Sequence, residues 1–315
     1  MMQKIGYWHI KAILLYLNQS ITKGNMKKYL FILTVASLLI ACGGDDVIED
    51  NLVNDTGEGI TPERAAKAQM VFQTVPSPLE TATLFQDAGS SYNLDITNPV
   101  ENVNKYSTNA QKALNLGVYG ADLSYANIFD QSQESMFYMN CSKKMSDGLG
   151  ITSAFDAATM ERIEENMNNR DSLMIIINDA FWIADAHLKE NGQDHLSALI
   201  ITGGWIEGLY LGTKSLNTES PDENLMQKIA DQKYSLDNLV ELLDSYDNAE
   251  VNAVGQKMKM LQMAFNKIEE IEAEAVVSDD GGMPTIGGGS TLSFDVGTII
   301  EITNVIDSIR NEIIQ

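Results

Sequence analysis

Residues 194–212 have the sequence DHLSALIITGGWIEGLYLG, which is apolar enough to be buried on most sides of a helix. Asp194 is a good N-cap, so we expect a helix over residues 195–214. In the second half of this helix, glycine recurs at intervals of four residues: Gly204, Gly208 and Gly212. A helix aligns these glycines in one bare stripe, at a cost of ~1 kcal/mol each relative to alanine. We therefore expect a second helix to compensate by packing its backbone unusually close.

A matching stripe of small residues occurs earlier in the chain, in a helical region predicted over residues 103–144 with a break near residues 130–133. Its members follow each other at helical spacing: Gly117, Ala121 and Ser124. Two bare faces can approach closely, whereas a bare face against a bulky one leaves voids. We predict that the two stripes face each other.

The apolar spacing is helical from about residue 61 to the C-terminus. Three helix starts carry a capping residue followed by proline: Thr61-Pro62, Ser77-Pro78 and Ser220-Pro221. Besides the two helical regions above, we predict helices over residues 154–168, 171–190, 222–246 and 250–273. In the last helix, isoleucines spaced alternately by three and four residues predict a buried seam: Ile299, Ile302, Ile306, Ile309 and Ile313.

Glycines are frequent in residues 277–290, which we expect to form a mobile loop. No segment has the convincing alternation of a strand. Because short connections favour antiparallel neighbours, the sequence predicts an all-α fold, an antiparallel multi-helix bundle with close packing of small residues. We place this single domain at residues 61–315.

The N-terminal residues predict export and lipid attachment. A start at Met26 gives two lysines, a short apolar run and the sequence LIAC over residues 39–42, which is typical of a secretory signal peptide. The run is too short for a transmembrane helix, which needs ~20 apolar residues. LIAC also resembles a bacterial lipobox, which implies lipidation of Cys42; the alternative is an ordinary signal peptide with a chance cysteine. We interpret residues 1–41 as an upstream extension plus signal peptide and residues 42–60 as a flexible acidic tether.

The mature chain is strongly acidic. Removal of residues 1–41 takes away five lysines and no acidic residue, which leaves 16 basic residues against 44 acidic residues and a net charge of −28. Such a chain repels nucleic acid and anionic lipid surfaces, so the membrane is expected as a partner only through the lipid on Cys42. Cys141 then has no disulfide partner, and its apolar neighbours indicate a buried small hydrophobe rather than a nucleophile.

Two carboxylates lie within the helices that carry the small-residue stripes, Asp122 and Glu207. A buried carboxylate needs a partner or a raised pKa. We hypothesise that both converge on one polar pocket together with four aromatic residues: Tyr119, Tyr125, Trp205 and Tyr210. In the alternative arrangement, each carboxylate points to solvent from its own helix. Asp185 lies in a similarly apolar stretch.

No metal or cofactor site is expected. The mature chain has two histidines, His187 and His195, and no C-x-x-C pair, which is too little for a histidine- or cysteine-based site. Asp279-Asp280 lacks the alternating ligands of a calcium-binding EF-hand loop. Motifs of common hydrolases and nucleotide-binding proteins are absent from the sequence. Four methionines at helical spacing predict adaptable core packing: Met226, Met258, Met260 and Met263.

Three blocks resemble a group of uncharacterised Bacteroidota lipoproteins: Asn98-Pro99-Val100, residues 113–125 (ALNLGVYGADLSY) and residues 203–210 (GGWIEGLY). The resemblance implies an all-helical envelope lipoprotein and no particular activity. Asp45-Asp46 resemble the acidic export signals of surface lipoproteins, which implies an outer-membrane location, on the periplasmic face or the cell surface. A fainter likeness to imelysin-type lipoproteins fails at Trp205, where their Gly-x-His-x-x-Glu motif has histidine, so their metal site is not carried over.

Two functions from different classes fit these observations. The first is a non-catalytic, lipid-anchored helical module that binds a small ligand or a partner protein at the cell envelope. The second is an envelope hydrolase that uses buried carboxylates such as Asp122 and Glu207. The two differ in geometry, because an enzyme needs convergent carboxylates in an open cleft, whereas a scaffold fills that space with side chains. The sequence favours the first.

Overall fold

The computed structural model describes residues 91–166, 169–216, 221–272, 276–278, 285–287 and 290–315, together with Thr83 and Gln86. All of them belong to one unit of the chain, residues 57–315. Several predictions lie outside the described residues: the signal peptide, Cys42, the tether, the helix starts at residues 61 and 77, Ser220 and Asp279-Asp280.

Helices make up most of the described chain, which confirms the predicted all-α multi-helix bundle. The α-helices are α1 (Asn109–Ile128), α2 (Ser132–Gly148), α3 (Ala157–Glu165), α4 (Arg170–Glu190), α5 (Asp194–Lys214), α6 (Glu223–Asp244), α7 (Ala249–Phe265) and α8 (Val296–Ile314). Short 3-10 helices occur at Leu94–Ile96, Val100–Asn104 and Thr152–Phe155. Among the described helices, none combines the length and the apolar composition of a membrane span.

Polar N-cap residues explain where several helices begin. Before α1, the Thr108 side chain accepts a hydrogen bond from the backbone N–H of Gln111, and the Gln111 side chain accepts one from the backbone N–H of Thr108. This reciprocal capping box satisfies two backbone donors that have no partner within the helix. Asp222 and Asp295 cap α6 and α8, each by accepting from the backbone N–H three residues later.

Several predicted helix boundaries are wrong. Asp194 is the first residue of α5 rather than its cap; Gln193 occupies the cap position without a side-chain hydrogen bond. The tight turn at Gly192, with φ of 66°, returns the chain to helical geometry one residue early. The helix predicted over residues 154–168 is shorter, because the Asp156 side chain accepts from a backbone N–H and caps α3 only after the preceding 3-10 helix has ended.

Four short strands replace part of the predicted helix and loop near the C-terminus. β1 (Glu269–Glu272) pairs antiparallel with β4 (Ser290–Ser293), and β2 (Val276–Ser278) pairs antiparallel with β3 (Thr285–Gly287). The extension of the α7 helix to residue 273 and the absence of strands were therefore wrong predictions. Strands of three or four residues are too short for a clear alternation, and their stability comes from pairing with a distant segment.

The core lies around α1 and α5, which pack against each other, while α2 covers α1 and α8 contacts both α5 and α7. The predicted isoleucine seam of α8 is buried along its whole length: Ile299, Ile302, Ile306, Ile309 and Ile313. The methionine prediction is half wrong. Met226 and Met258 are in the core, but Met260 and Met263 are 49% and 63% exposed, because they lie on the face of α7 that points away from α6 and α8.

Candidate functional site

α1 and α5 approach each other most closely at glycines. A Cβ on Gly117 would lie 2.0 Å from the carbonyl oxygen of Ile200 and 2.5 Å from the backbone nitrogen of Gly204. A Cβ on Gly203 would lie 2.0 Å from the carbonyl oxygen of Leu114. Only glycine fits at these positions without displacing a backbone, so the two helices are held in one fixed register.

The other members of the two stripes are buried within the same helices: Ala121, Ser124, Gly208 and Gly212. The Ser124 hydroxyl donates to the carbonyl oxygen of Gly120 at 2.9 Å, so it is satisfied within α1. Gly203 was missed by the sequence analysis, because the four-residue repeat selected Gly204 from this pair of neighbours.

Asp122 of α1 and Glu207 of α5 meet beside this contact, together with Arg310 of α8. Both oxygens of the Glu207 carboxylate accept from Arg310, one from Nε and one from Nη2, each at 2.9 Å. The Asp122 carboxyl group is hydrogen-bonded to Glu207, and its Oδ2 accepts from the backbone N–H of Asn98 at 3.1 Å. Both acidic side chains are 0% exposed and Arg310 is 4% exposed. We call Asp122, Glu207 and Arg310 the charge cluster.

The surroundings of Asp122 favour the protonated form of its carboxyl group. Burial raises the pKa of Asp122 well above its usual range, and the neighbouring Glu207 charge raises it further. Burial also raises the pKa of Glu207, but the charge and hydrogen bonds of Arg310 and the hydrogen bond from Asp122 oppose that effect. Asp122 Oδ1 is buried and has no hydrogen-bond partner among the described residues, which also disfavours a charge on this carboxyl group. We therefore assign the proton to Asp122 and the negative charge to Glu207.

The Arg310 guanidinium, the cation of the cluster, is stabilised by several contacts. Burial lowers the pKa of Arg310, but the Glu207 carboxylate outweighs burial, so that the pKa is raised overall. The ring of Tyr210 lies over the guanidinium, with Cζ 4.4 Å from the ring centroid. Nη2 also donates to the carbonyl oxygen of Ile96 at 3.1 Å. With Asp122 protonated, the cluster carries no net charge, which is the condition for burying it without a large desolvation penalty.

Buried asparagines connect the cluster to the end of α8. Asn98 donates from Nδ2 to Tyr106 Oη at 3.0 Å and to Asn115 Oδ1 at 3.3 Å, and Asn102 donates to Asn98 Oδ1 at 2.9 Å. The last turn of α8 accepts three further hydrogen bonds: Asn115 to the Ile313 carbonyl (3.1 Å), Asn102 to the Ile314 carbonyl (3.3 Å) and Tyr106 to the Ile314 carbonyl (3.2 Å). Carbonyl groups at a helix end have no partner within the helix, so these side chains fix the end of α8 in place.

Two aromatic residues of the predicted pocket form hydrogen bonds with the segment before α1. Tyr119 donates from its hydroxyl to the carbonyl oxygen of Pro99 at 3.2 Å. The Tyr125 hydroxyl donates to the carbonyl oxygen of Ser91 at 3.1 Å and accepts from the backbone N–H of Asn93 at 3.0 Å. Burial raises the pKa of both tyrosines, so they act as neutral hydrogen-bonding groups.

Trp205, the last aromatic residue of the predicted pocket, is buried in α5 at 5% exposure, and its Nε1 has no hydrogen-bond partner among the described residues. The structure therefore brings Asp122, Glu207 and Tyr210 together around Arg310. All four side chains are buried.

Arg310 and Asn98 were not among the predicted site residues. Arg310 follows Ile309 directly in the isoleucine seam, and a cation beside a buried seam needs a carboxylate, so its residue type was a usable signal. Asn98 begins one of the three sequence blocks that carry the lipoprotein resemblance. Neither signal identifies the partner, because Arg310 lies 103 positions from Glu207 and Asn98 lies 24 positions from Asp122.

A cavity of about 530 Å³ lies away from the charge cluster, between the start of α6 and the connection from β4 to α8. Its lining includes Pro221, Met226, Leu292 and Phe294, and it includes none of the predicted pocket residues. Both polar and apolar side chains line this cavity, and Glu223 is the one acid among them. It therefore does not supply the open cleft that a carboxylate-based enzyme needs.

The remaining chemistry-bearing side chains have structural surroundings. Asp185 joins α4 to α5, with Oδ2 2.7 Å from Lys189 Nζ and with Oδ1 accepting from the Ser197 hydroxyl. Cys141 is buried as predicted, and burial raises its pKa to about 11, so it stays a neutral thiol. Within the described ranges, no group of three or more His, Cys, Asp or Glu side chains is placed to hold a metal ion.

The chain matches no protein-family model, and neither a curated protein nor a solved structure shows significant similarity to it. The functional interpretation therefore depends on the charge cluster, the surface and the sequence signals.

Proposed function

We propose that the protein is a non-catalytic, lipid-anchored helical module of the cell envelope that binds a partner protein or a small ligand. The observation that carries the proposal is the closed charge cluster. Arg310 occupies both oxygens of Glu207, and Asp122 uses its proton to bind the same carboxylate. These contacts link α1, α5 and α8, and both carboxyl groups are closed off from solvent, so a substrate has no direct access to them.

The hydrolase alternative has less support from the geometry. A general acid or base must come within about 2.6–3.2 Å of the proton that it transfers, directly or through one water. Asp122 and Glu207 have no exposed surface. Arg310 of α8 binds the Glu207 carboxylate directly. Moving α8 aside to admit a substrate would break the bidentate ion pair and the three hydrogen bonds to its last turn.

Membrane attachment is proposed from the sequence signals. The lipobox at residues 39–42 provides Cys42 for lipidation, and the acidic tether that follows separates the helical domain from the membrane surface. We place the protein in the outer membrane, on the periplasmic face or the cell surface. The net charge of −28 on the mature chain keeps the domain itself away from anionic headgroups, so the lipid is the means of attachment.

Metabolic labelling with an alkyne fatty acid tests the anchoring. The full chain is expressed in a bacterial host that processes lipoproteins, and label and membrane fractionation are compared between the parent, Cys42→Ala and Cys141→Ala. We expect Cys42→Ala to lose both the label and the membrane fraction, whereas Cys141→Ala keeps both. Unchanged labelling of Cys42→Ala would overturn the proposed anchor.

A second experiment addresses the proposed lack of catalysis. The purified full chain, Asp122→Asn and Glu207→Gln are assayed against chromogenic ester, glycoside and peptide substrates, with circular dichroism as the check on folding. We expect no turnover that distinguishes the parent from the variants. Turnover by the parent that a folded Asp122→Asn variant loses would make the hydrolase the better function.

A further inference from the structure

The cavity between the start of α6 and the connection from β4 to α8 has the size of a small-molecule site. We call it the α6–α8 cavity. Its volume of about 530 Å³ lies within the ~300–1,000 Å³ range of ligand pockets. Met226 and Leu292 in its lining are only 8% and 9% exposed, whereas Glu223, Ser293 and Val296 are exposed. The buried end of the cavity is therefore apolar, and its mouth carries a carboxylate.

Negative charge borders the α6–α8 cavity where two helices begin. Asp222 directly precedes the lining residue Glu223, and Asp295 directly precedes the lining residue Val296. Each aspartate accepts a hydrogen bond from the backbone N–H three residues later, at 2.8 Å. A helix start attracts anions through such N–H groups and through its dipole, but here a carboxylate of the chain itself takes that place. The α6–α8 cavity therefore disfavours an anionic ligand.

The other charges around the cavity are mainly acidic as well. β1 adds Glu269 and Glu270, which lie opposite Ser293 and Leu292 of β4. No lysine or arginine belongs to the described lining. The lysines on the adjoining parts of α6 and before β1 each have a partner: Lys228 with Asp231, Lys233 with the carbonyl oxygen of Ile268, and Lys267 with Glu301. Glu223 has no such partner among the described residues, so its charge is open to a ligand.

We propose that the α6–α8 cavity binds a small organic cation, a molecule with an apolar body and one protonated amine. The apolar body is buried against Met226 and Leu292, which removes apolar surface from water. The ammonium group pairs with the Glu223 carboxylate at the mouth. The net charge of −23 on the whole chain raises the local concentration of cations and favours the same class of ligand. This inference rests on the proposed binding function and names the ligand class for it.

The position of Glu223 predicts how much the charge contributes. An exposed ion pair is screened by solvent, so removing one partner weakens binding by only ~2- to 5-fold. Burial of the apolar body supplies the larger part of the affinity, and it acts on charged and uncharged ligands alike. We therefore expect the cavity to prefer an amine over an uncharged molecule of the same shape by a similar factor.

Calorimetric titration of the purified full chain in a nonionic detergent measures this preference. The probe is phenethylamine, which is positively charged at neutral pH. Phenethyl alcohol and phenylpropionate have the same ring with a neutral and a negative end group. We expect phenethylamine to bind most tightly and phenylpropionate least tightly. Equal binding of the three probes, or no binding of phenethylamine, overturns the proposal.

Two variants locate the bound amine. Glu223→Gln should weaken the binding of phenethylamine ~2- to 5-fold, whereas its matched control Glu250→Gln, in the first turn of α7, should bind like the parent. Gln227→Lys places a cation in the lining and should reverse the preference between amine and carboxylate, whereas Gln256→Lys adds the same charge at an exposed position of α7 and should not. Circular dichroism checks the folding of each variant. Two lining variants that bind like their controls overturn the proposal.

The proposed function and this ligand class fail in different experiments. If phenethylamine does not bind, the ligand class is wrong, and binding of a partner protein by the helical module is unaffected. If the parent shows turnover that a folded Asp122→Asn variant loses, the non-catalytic function is wrong, and the titrations with Glu223→Gln still decide whether the α6–α8 cavity takes a cation.

Discussion

Replacement of Asp122 by asparagine tests the assignment of the buried proton. A protonated aspartic acid donates to Glu207 and accepts from the backbone N–H of Asn98, and an asparagine side chain can make both hydrogen bonds. The variant Asp122→Asn therefore keeps the charge cluster neutral. We expect it to fold like the parent and to be at least as stable at neutral pH.

The magnitude follows from the raised pKa of Asp122. In the unfolded chain an aspartic acid loses its proton near pH ~3.9, whereas folded Asp122 keeps its proton well above that pH. Between the two pKa values the folded state binds one proton more, so the contribution of Asp122 to the free energy of unfolding falls by about 1.4 kcal/mol for each unit of rising pH. That contribution is complete below the unfolded pKa and is lost as the pH rises toward the folded pKa. Asparagine does not titrate, so the variant gains stability relative to the parent at about this rate.

Urea unfolding followed by circular dichroism at about pH 4.5, 5.5 and 6.5 measures this slope. The control is Asp156→Asn at the exposed cap of α3, where hydrogen bonds from Thr159 lower the pKa of Asp156. A lowered pKa changes the stability only below the unfolded pKa of ~3.9, so the difference between this control and the parent should stay nearly constant over the measured range. A difference between Asp122→Asn and its parent that stays constant over this range would refute the protonated state of Asp122.

Three further changes test the packing, the ion pair and the buried thiol. Gly117→Ala places a Cβ 2.0 Å from a backbone oxygen of α5, so we expect it to lose about 3 kcal/mol of unfolding free energy or to fail to fold. In the control Gly255→Ala, the new Cβ meets nothing closer than 3.6 Å, so we expect a gain of up to ~1 kcal/mol in urea unfolding. Equal effects of the two changes would contradict the close helix contact. Arg310→Met leaves the charge of Glu207 buried without its cation, so we expect a loss of ~3–5 kcal/mol that Glu207→Gln partly restores, and an unchanged unfolding midpoint would speak against the pairing. Because burial raises the pKa of Cys141 to about 11, a maleimide should modify it at least ~10-fold more slowly in the folded protein than in urea, and similar rates would show that the thiol is accessible.

Local sequence patterns predicted the helices well because a helix is specified by neighbours three and four residues apart. The isoleucine seam of α8 and the break between α1 and α2 needed no distant information; the break occurs at Asp130, which adopts a φ of 57°. The pairing of β1 with β4 does need it, because each strand is four residues long and its partner begins about twenty positions away. Met260 and Met263 show a second limit, since periodicity places both on one face of α7 without saying whether that face points inward.

The candidate site was predictable on the two helices that share the glycine contact and not beyond them. Asp122 and Glu207 flank small-residue stripes, so placing the stripes together also placed the acids together. Arg310 has no such marker, because its position depends on how α8 returns across the bundle after the strands. The sequences of α1 and α5 therefore do not show that Arg310 of α8 balances the charge of their buried acids.

The long span of the charge cluster has a consequence for the order in which the chain assembles. Arg310 contacts the carbonyl of Ile96, 214 positions earlier in the chain, and neutralises an acid on α5 that has long since been synthesised. Until α8 arrives, closing α1 onto α5 would bury the Glu207 charge without a cation, at a cost of several kcal/mol. Contacts this distant also form slowly. The pairing of α1 with α5 is therefore linked to the arrival of a helix that lies far along the chain, so a change at Arg310 should be felt where the two central helices meet.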